Sequence, residues 1–354
     1  MTERGHRYFA AWPHSVAKLL EIPDAKWDPS LPADWRYALA VLSEASKEIE
    51  DEGLYFYFTK DPYRLPEYGP HVVAVLLLEE RCKIPSYARH VRAVIRNTRS
   101  VPFLGLRPRA GLSRLEFNLA FEYVRDWAMH LKSRLSLSLR RPHWPPAVDN
   151  KPHIYTIPLG YHSQEDLPQI PMRDRSLDCF FAGDLSVGAG RNSYRYWIST
   201  SKVQARKQLW RVLDRLKSDP EWHIELGSVT GQTVNDSQFN SYSQKMMNSR
   251  ICVAPRGSMA ETYRFYEGLR AGCLVISNRL GDEPYLKGAP VIQIDHWKEL
   301  PCLFKKYARN LDALEHYRAA SLAWWEQHCS ERVFGPRVAH FLNEACPDKP
   351  QHSA

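Results

Sequence analysis

The stretch "RICVAPRGSMAETYRFYEGLRAGCLVISN", residues 250–278, reads as one strand–loop–helix–strand unit. "RICVAP" is a short apolar run that delivers Arg256-Gly257 at its carboxyl end. "SMAET" offers several helix N-cap residues, so free backbone amides and the positive end of a helix dipole point into the space beyond the strand. "ETYRFYEGLRAG" (261–272) has helical spacing, Gly272 ends it as a C-cap, and "CLVISN" (273–278) opens the next strand. On the helix, Arg264 and Glu267 are three apart and share a face, as do Tyr263 and Tyr266. An arginine near the helix start suits a diphosphate, and an acid one turn on suits ribose hydroxyls. The same two residues also read as an intrahelical ion pair, worth only about 0.3–0.5 kcal/mol on an exposed face.

Upstream, "FFAGDLSVGAGRNSYR" (180–195) runs an apolar strand into Gly183, and the loop adds Gly188, Gly190 and Arg191. Glycines let backbone amides approach an oxyanion closely, and arginine supplies bidentate donors. Two stricter motifs fail. Ala-Gly stands where a P-loop needs Lys-Ser/Thr, and "GAGRNS" lacks the third glycine of a dinucleotide fingerprint.

Around these stretches the second half alternates strands and helices. "HIYTIPLG" (153–160), "LDCFFAGDL" (177–185), "WHIELGSV" (222–229), "RICVAP" (250–255), "CLVISN" (273–278) and "PVIQID" (290–295) have strand character. "KVQARKQLWRVLDRLK" (202–217), "SYSQKMMNS" (241–249) and two closing segments, roughly 300–328 and 331–345, have helical character. The first half has the same rhythm. "GLYFYFTK" (53–60), "HVVAVLLLEE" (71–80) and "VPFLGLRP" (101–108) read as strands, and "PSYARHVRAVIRNT" (85–98) as a helix. "SRLEFNLAFEYVRDWAMHLKSRLSL" (113–137) reads as a long helix opening with a Ser-x-x-Glu capping box. Residues 1–52 hold a helical stretch, "DWRYALAVLSEASKEIEDEG", with no assigned place. "RRPHWPPAVDNKPH" (140–153), with four prolines, is the expected linker. This gives an α/β chain of two Rossmann-like domains, 1–150 and 151–345, with a tail at 346–354.

The bulk numbers narrow the class. At 354 residues the chain exceeds what one hydrophobic core usually supports. No apolar run reaches the roughly 18 residues that span a bilayer, and the first residues lack a signal-peptide h-region. Seven scattered cysteines without a CxxC pair argue against a disulfide framework or structural zinc, which fits a cytoplasmic chain. The net charge of +8 suggests an anionic partner. With no RNP, zinc-finger or basic-zipper pattern, nucleic acid is set aside, which leaves a phosphorylated small molecule or a peripheral contact with the inner face of a membrane.

"FFAG…G…R" followed some 70 residues later by "CVAPRG…YRFYEGLRAGCLVI" resembles the C-terminal domain of exostosin-like (GT47-type) glycosyltransferases. There a phenylalanine-rich strand ends in Ala-Gly, a later strand in Pro-x-Gly, and a helix carries Arg-x-x-Glu/Asp ahead of Gly-Cys-x-x-Val. The resemblance covers roughly 175–300. It implies a GT-B fold, two Rossmann-like domains facing each other across a cleft, with a nucleotide-sugar donor held by the C-terminal domain. Gly183, Asp184, Arg191, Arg256, Gly257, Thr262, Tyr263, Arg264 and Glu267 would then line the donor site. "CLVISN" lacks the proline often found after Gly-Cys, and no membrane anchor like that of Golgi members is expected. A soluble bacterial relative working in polysaccharide biosynthesis is expected, with a UDP- or GDP-linked donor and a glycan or lipid-linked acceptor.

No Asp-x-Asp occurs, so no metal cofactor is expected, and basic side chains with a helix N-terminus would neutralise the leaving diphosphate. Arg256, Arg264 and Arg191 are the candidates. An inverting reaction also needs a base for the acceptor hydroxyl. Glu79 and Glu80, after "VAVLLL", are the first choices and Asp61, after "YFYFTK", the second. His162, past "IPLGY", is a further residue that could line the cleft. The competing reading is a non-catalytic GT-B-like module that binds a nucleotide or glycan.

Overall fold

The computed structural model describes residues 5–11, 19–106, 113–138, 144–162, 166–183, 200–227 and 236–345. By contacts the chain divides into two compact units. The first comprises Met1–Pro102, Tyr123–Leu159 and Cys329–Ala354, and the second Phe103–Glu122 and Gly160–His328.

The first unit carries a six-stranded sheet of β1 (Arg7–Ala11), β2 (Leu19–Ile22), β3 (Tyr55–Thr59), β4 (Gly69–Leu76), β5 (Val91–Arg96) and β6 (Ile154–Thr156). Its order is β2-β1-β3-β4-β5-β6, parallel throughout except for the β1–β2 pair. Phe56 and Phe58 on β3 and Val72 through Leu76 on β4 are fully buried, so both faces of the central strands are covered, as parallel sheets require. Helix α1 (Arg36–Ala45) buries Tyr37, Leu39, Val41 and Leu42.

Three expectations for this half are corrected. The segment 85–98 is not a helix but contains β5. Its arginines at 89, 92 and 96 mimic the polar face of a helix, yet Arg92 and Arg96 are buried and spend their guanidinium hydrogens on protein acceptors. No strand forms over 101–106, the described part of "VPFLGLRP". "HIYTIPLG" does not open the second sheet, because β6 pairs with β5 in register Ile95↔Tyr155.

The proline-rich stretch is no free linker in its described part. Trp144 packs on Tyr68 and His90, and the Val148 amide donates to Arg89 O at 2.7 Å. The boundary drawn at 150 thus falls inside the first unit. The chain's last described helix, placed by sequence with the second domain, also belongs to the first. This segment, Glu331–Glu344, packs along α1, and Arg92 donates from Nε and Nη2 to Leu342 O at 3.1 and 2.7 Å. A Cβ at Gly335 would sit 2.4 Å from Glu44 Cβ and 3.0 Å from the Ala45 amide nitrogen. Gly335→Ala is therefore expected to cost about 1–3 kcal/mol or more by overpacking against backbone that cannot yield. Urea denaturation measures this, and a change within error would show that the two helices can separate freely.

The second unit is a parallel five-stranded sheet of β7 (Leu177–Ala182), β8 (Ile224–Gly227), β9 (Ser249–Ala254), β10 (Leu274–Asn278) and β11 (Val291–Ile294), in order β11-β10-β9-β7-β8. Between and after these strands run α3 (Ser201–Lys217), α4 (Asp236–Met247), α5 (Tyr263–Arg270), α6 (Leu300–Tyr307) and α7 (Leu311–His328). The segment 300–328 is thus two helices rather than one, because Asn310 caps the second by accepting the Ala313 amide at 3.0 Å. Glu331–Glu344 becomes α8. The long helix α2 (Arg114–Ser138) keeps its expected capping box. Ser113 N donates to Glu116 Oε2 at 2.7 Å and Glu116 N to Ser113 Oγ at 3.3 Å.

Numbered within the unit, the strand order is 2-1-3-4-5. It reverses direction between β7 and β9, and such sheets bind ligands at that switch point, beyond the carboxyl ends of the strands. The α/β class with two Rossmann-like units, expected from the sequence, holds for the molecule.

Candidate active site

Two strand ends meet at the switch point. β7 finishes in Ala182-Gly183 and β9 in Ala254-Pro255-Arg256-Gly257, the two strands pairing in register Phe180↔Cys252. Glu261 anchors the loop that follows β9. It is buried, and accepts from the hydroxyls of Tyr266 and Tyr285, the latter at 3.1 Å. The chain then turns into α5 through Thr262, the N-cap residue, whose side chain makes no capping hydrogen bond. Thr262 Oγ1 is buried and has no hydrogen-bond partner among the described residues.

Arg264, in the first turn of α5, reaches across to β7. Its guanidinium carbon lies 4.6 Å from the centroid of the fully buried Phe181 ring, and Nη2 donates to Ala182 O. Its Nε is buried with no hydrogen-bond partner among the described residues. A Cβ at Gly183 would stand 3.1 Å from the Phe181 ring and 3.8 Å from Arg264 Nη2, so the glycine keeps this corner open.

Glu267, one turn further, is buried. Its Oε1 accepts the His162 amide at 3.0 Å and its Oε2 the Tyr242 hydroxyl at 2.7 Å. It is thus not the partner of Arg264 that an intrahelical pair would make it. Burial, reinforced by the charge of Glu267, pushes the Tyr242 phenol well above its ordinary value, so Tyr242 stays a neutral donor. The Tyr263 ring lies 5.2 Å from the His162 ring at 54°. Helix α5 ends in a Schellman motif, Cys273 N donating to Gly268 O and Gly272 N to Leu269 O, with Gly272 at φ +69°.

Arg256 faces the neighbouring strands instead. Its amide donates to Asn278 Oδ1 at 3.1 Å, and its buried side chain lines a cavity of about 30 Å³ with Glu116, Asn278, Arg279 and Asp295. Arg279 Nε pairs with Asp295 Oδ1 at 2.6 Å. The structure thus gathers Gly183, Thr262, Arg264, Tyr263 and Glu267 on the α5 side of the β9 end, and Gly257 packs under Thr262 Cγ2 in the connecting loop. Asp184 and Arg191 lie outside the described residues.

The acids expected to serve as base lie in the first unit. Glu79 is a counter-ion: its Oε2 accepts from the fully buried Arg96 at 3.3 Å and from the Lys83 amide at 2.8 Å. Glu79, expected as a base, thus supplies the counter-charge of a guanidinium that would be costly to leave uncompensated at that depth. Asp61 closes a turn, accepting the Tyr63 amide at 2.7 Å. Glu80 is exposed. Sequence reasoning missed Tyr242, which no spacing rule marks, and named His162 only as a residue that could line the cleft, whereas its amide donates to Glu267.

A family model described as the RXYLT1 C-terminal domain matches residues 190–334, which include β8 through β11 and all of α5. No curated protein matches the chain. Similar solved structures include the pneumococcal O-GlcNAc transferase GtfA in complex with UDP and GlcNAc, at 12% identity, 87% of this chain, 60% of that chain and a TM-score of 0.38. The UDP-forming α,α-trehalose-phosphate synthase from Burkholderia xenovorans in complex with glucose-6-phosphate is similar at 8% identity, 86% and 77% coverage and a TM-score of 0.42. The glycotransferase of kitacinnamycin is similar at 10% identity, 98% and 100% coverage and a TM-score of 0.39. The chain spans 60% of the GtfA chain and 61% of a chain of the GtfA/B complex. Sugar transfer is the general class of chemistry that the family-model match supports.

Proposed function

We propose that the chain transfers a sugar from a nucleoside-diphosphate donor to a glycan or other hydroxyl acceptor, with the donor seated at the β7/β9 switch point. The observation that carries this reading is Arg264. Its guanidinium is clamped on Phe181 and Ala182 O at the carboxyl end of β7, with a buried Nε that no described group satisfies. A buried cationic donor left with spare hydrogen-bonding capacity beside a helix start is the arrangement a diphosphate would complete. Thr262 Oγ1 adds a second buried polar atom at the same helix start, and Glu267, held by Tyr242 and the His162 amide, is the acceptor for ribose hydroxyls. The exostosin-type spacing in the sequence and the family-model match over 190–334 support the same class. Glu80, exposed after β4, is the proposed proton acceptor.

A thermal-shift panel of nucleoside diphosphates and nucleotide sugars tests the donor site. Saturation at about a hundred times Kd stabilises by about 2.7 kcal/mol, so a rise on the order of 5 °C is expected with UDP or GDP. Silence across the panel would remove the reading. Binding without turnover of any nucleotide sugar would instead favour a non-catalytic binding module.

A further inference from the structure

Helix α2 is amphipathic in the inverted sense. Phe117, Phe121, Val124, Ala128, Leu131 and Leu135 follow one another at alternating steps of four and three, which at about 100° per residue places them in a single stripe. This stripe faces solvent: Phe117 is 62% exposed, Phe121 61%, Val124 65%, Leu131 50% and Leu135 70%. The opposite side of the helix is the packed one. Leu115 and Leu119 are buried against Ala205, Glu122 accepts from the amide and hydroxyl of Ser201, His130 Nδ1 donates to Cys82 O at 2.9 Å, and Ser133 Oγ accepts the Ile84 amide at 3.0 Å. The helix therefore spends its polar side chains on the protein and presents its apolar ones outward over about 27 Å. A scattered exposed leucine needs no explanation, but a continuous stripe of this length does.

The flanks say what covers it. Along the stripe the bordering charged side chains are Arg125, Lys132 and Arg134; Arg125 pairs with Asp126, which lies on the packed side. Glu116 shares Arg134's angle on the helix but is buried and bonded to Ser113, so among the described residues of α2 the exposed charged side chains beside the stripe are basic. A second copy laid on this seam, parallel or antiparallel, would bring arginine and lysine against arginine and lysine. An apolar face with lysine and arginine margins and an aromatic half-buried at its edge, Trp127, matches instead an anionic lipid surface.

We propose that the exposed stripe of α2 lies in the interface of a bilayer carrying anionic headgroups, with Lys132 and Arg134 on the phosphates and Val124, Leu131 and Leu135 in the acyl boundary. The inference does not rest on the nucleotide reading, since no donor-site residue takes part. The chain's net charge of +8 would add a long-range attraction of the same sign.

Co-sedimentation of the full chain with phosphatidylcholine vesicles, with and without a one-third share of phosphatidylglycerol, tests it. Binding to the anionic vesicles alone is expected. Lys132→Gln with Arg134→Gln should lower the partition coefficient by about fivefold for each charge removed. Leu131→Ser with Leu135→Ser leaves the charge unchanged and should lower it tenfold or more, on the order of what burying two leucines contributes. Both sites are exposed, so circular dichroism and melting temperature should match the parent chain. If the serine pair fails to fold, Val124→Ser alone replaces it. Absence of binding to anionic vesicles overturns the proposal, as does binding that the serine pair leaves unchanged, which would be charge adsorption alone. A concentration-dependent dimer abolished by the serine pair would assign the face to a second copy and overturn it equally.

Discussion

Arg264→Ala is expected to weaken nucleoside-diphosphate binding by about 10–100-fold, the range of one charge-assisted hydrogen-bond donor set. It should lower kcat/KM for the nucleotide sugar by about 10²–10³-fold, because a fixed cation facing the leaving group counts most when charge develops there. The residue also has a structural contact, its guanidinium on Phe181 and Ala182 O, so some loss of stability accompanies the change. Isothermal titration and steady-state kinetics on the folded fraction separate the two effects. Arg264→Lys sharpens the test. It keeps the charge but loses the planar fork, and should recover part of the binding and little of the turnover. If kcat/KM in Arg264→Ala stays within a factor of three of the parent, Arg264 is a clamp between α5 and β7 and nothing more.

Glu79→Gln is expected to lower the stability of the first unit by about 3 kcal/mol, the cost of leaving a buried guanidinium without its counter-charge. Arg96 is fully buried, and its other acceptors are the carbonyls of Glu79 and Lys83 and the Thr98 hydroxyl, all neutral. The loop that carries Glu79 is bracketed by two non-glycine residues in left-handed backbone, Leu78 at φ +62° and Cys82 at φ +54°. That conformation costs free energy at each residue and persists only while the surroundings enforce it. Urea denaturation measures the loss, and the joint replacement Glu79→Leu with Arg96→Met should restore most of it, since apolar substitutes of similar volume often match a buried pair. A loss below about 1 kcal/mol in the single variant would mean that the carbonyls alone suffice for Arg96.

These two residues also mark what a linear reading can and cannot reach. Glu79 and Glu80 are adjacent acids with the same neighbours in sequence; the left-handed turn at Leu78 decides which one points inward, and no local pattern announces that turn. The strands of the second unit were legible because each is a short apolar run bounded by glycine, proline or a polar cap. β5 was not, because Arg92 and Arg96 look solvent-facing until their acceptors are known, and for Arg92 those include a carbonyl 250 positions away. At the candidate site, the spacing of Arg264 and Glu267 on one helix was visible. The donors that hold Glu267 are 25 and 105 positions distant and came from elements whose packing no periodicity reports.

The return of α8 to α1 has a consequence for how the molecule comes into being. The Tyr37 hydroxyl donates to Cys329 O at 2.6 Å across 292 positions, and Gly335 is the point where the two helices touch backbone to backbone. A ribosome adding about 5–20 residues per second therefore needs on the order of tens of seconds between releasing α1 and delivering its cover. Throughout that interval the nascent first unit waits with an open apolar flank and with Arg92 paired to Asp51 but lacking its Leu342 carbonyl, while the second unit, whose strands lie close together in the chain, has everything it needs to close. Birth order and folding order are thus inverted: the part made first is finished last.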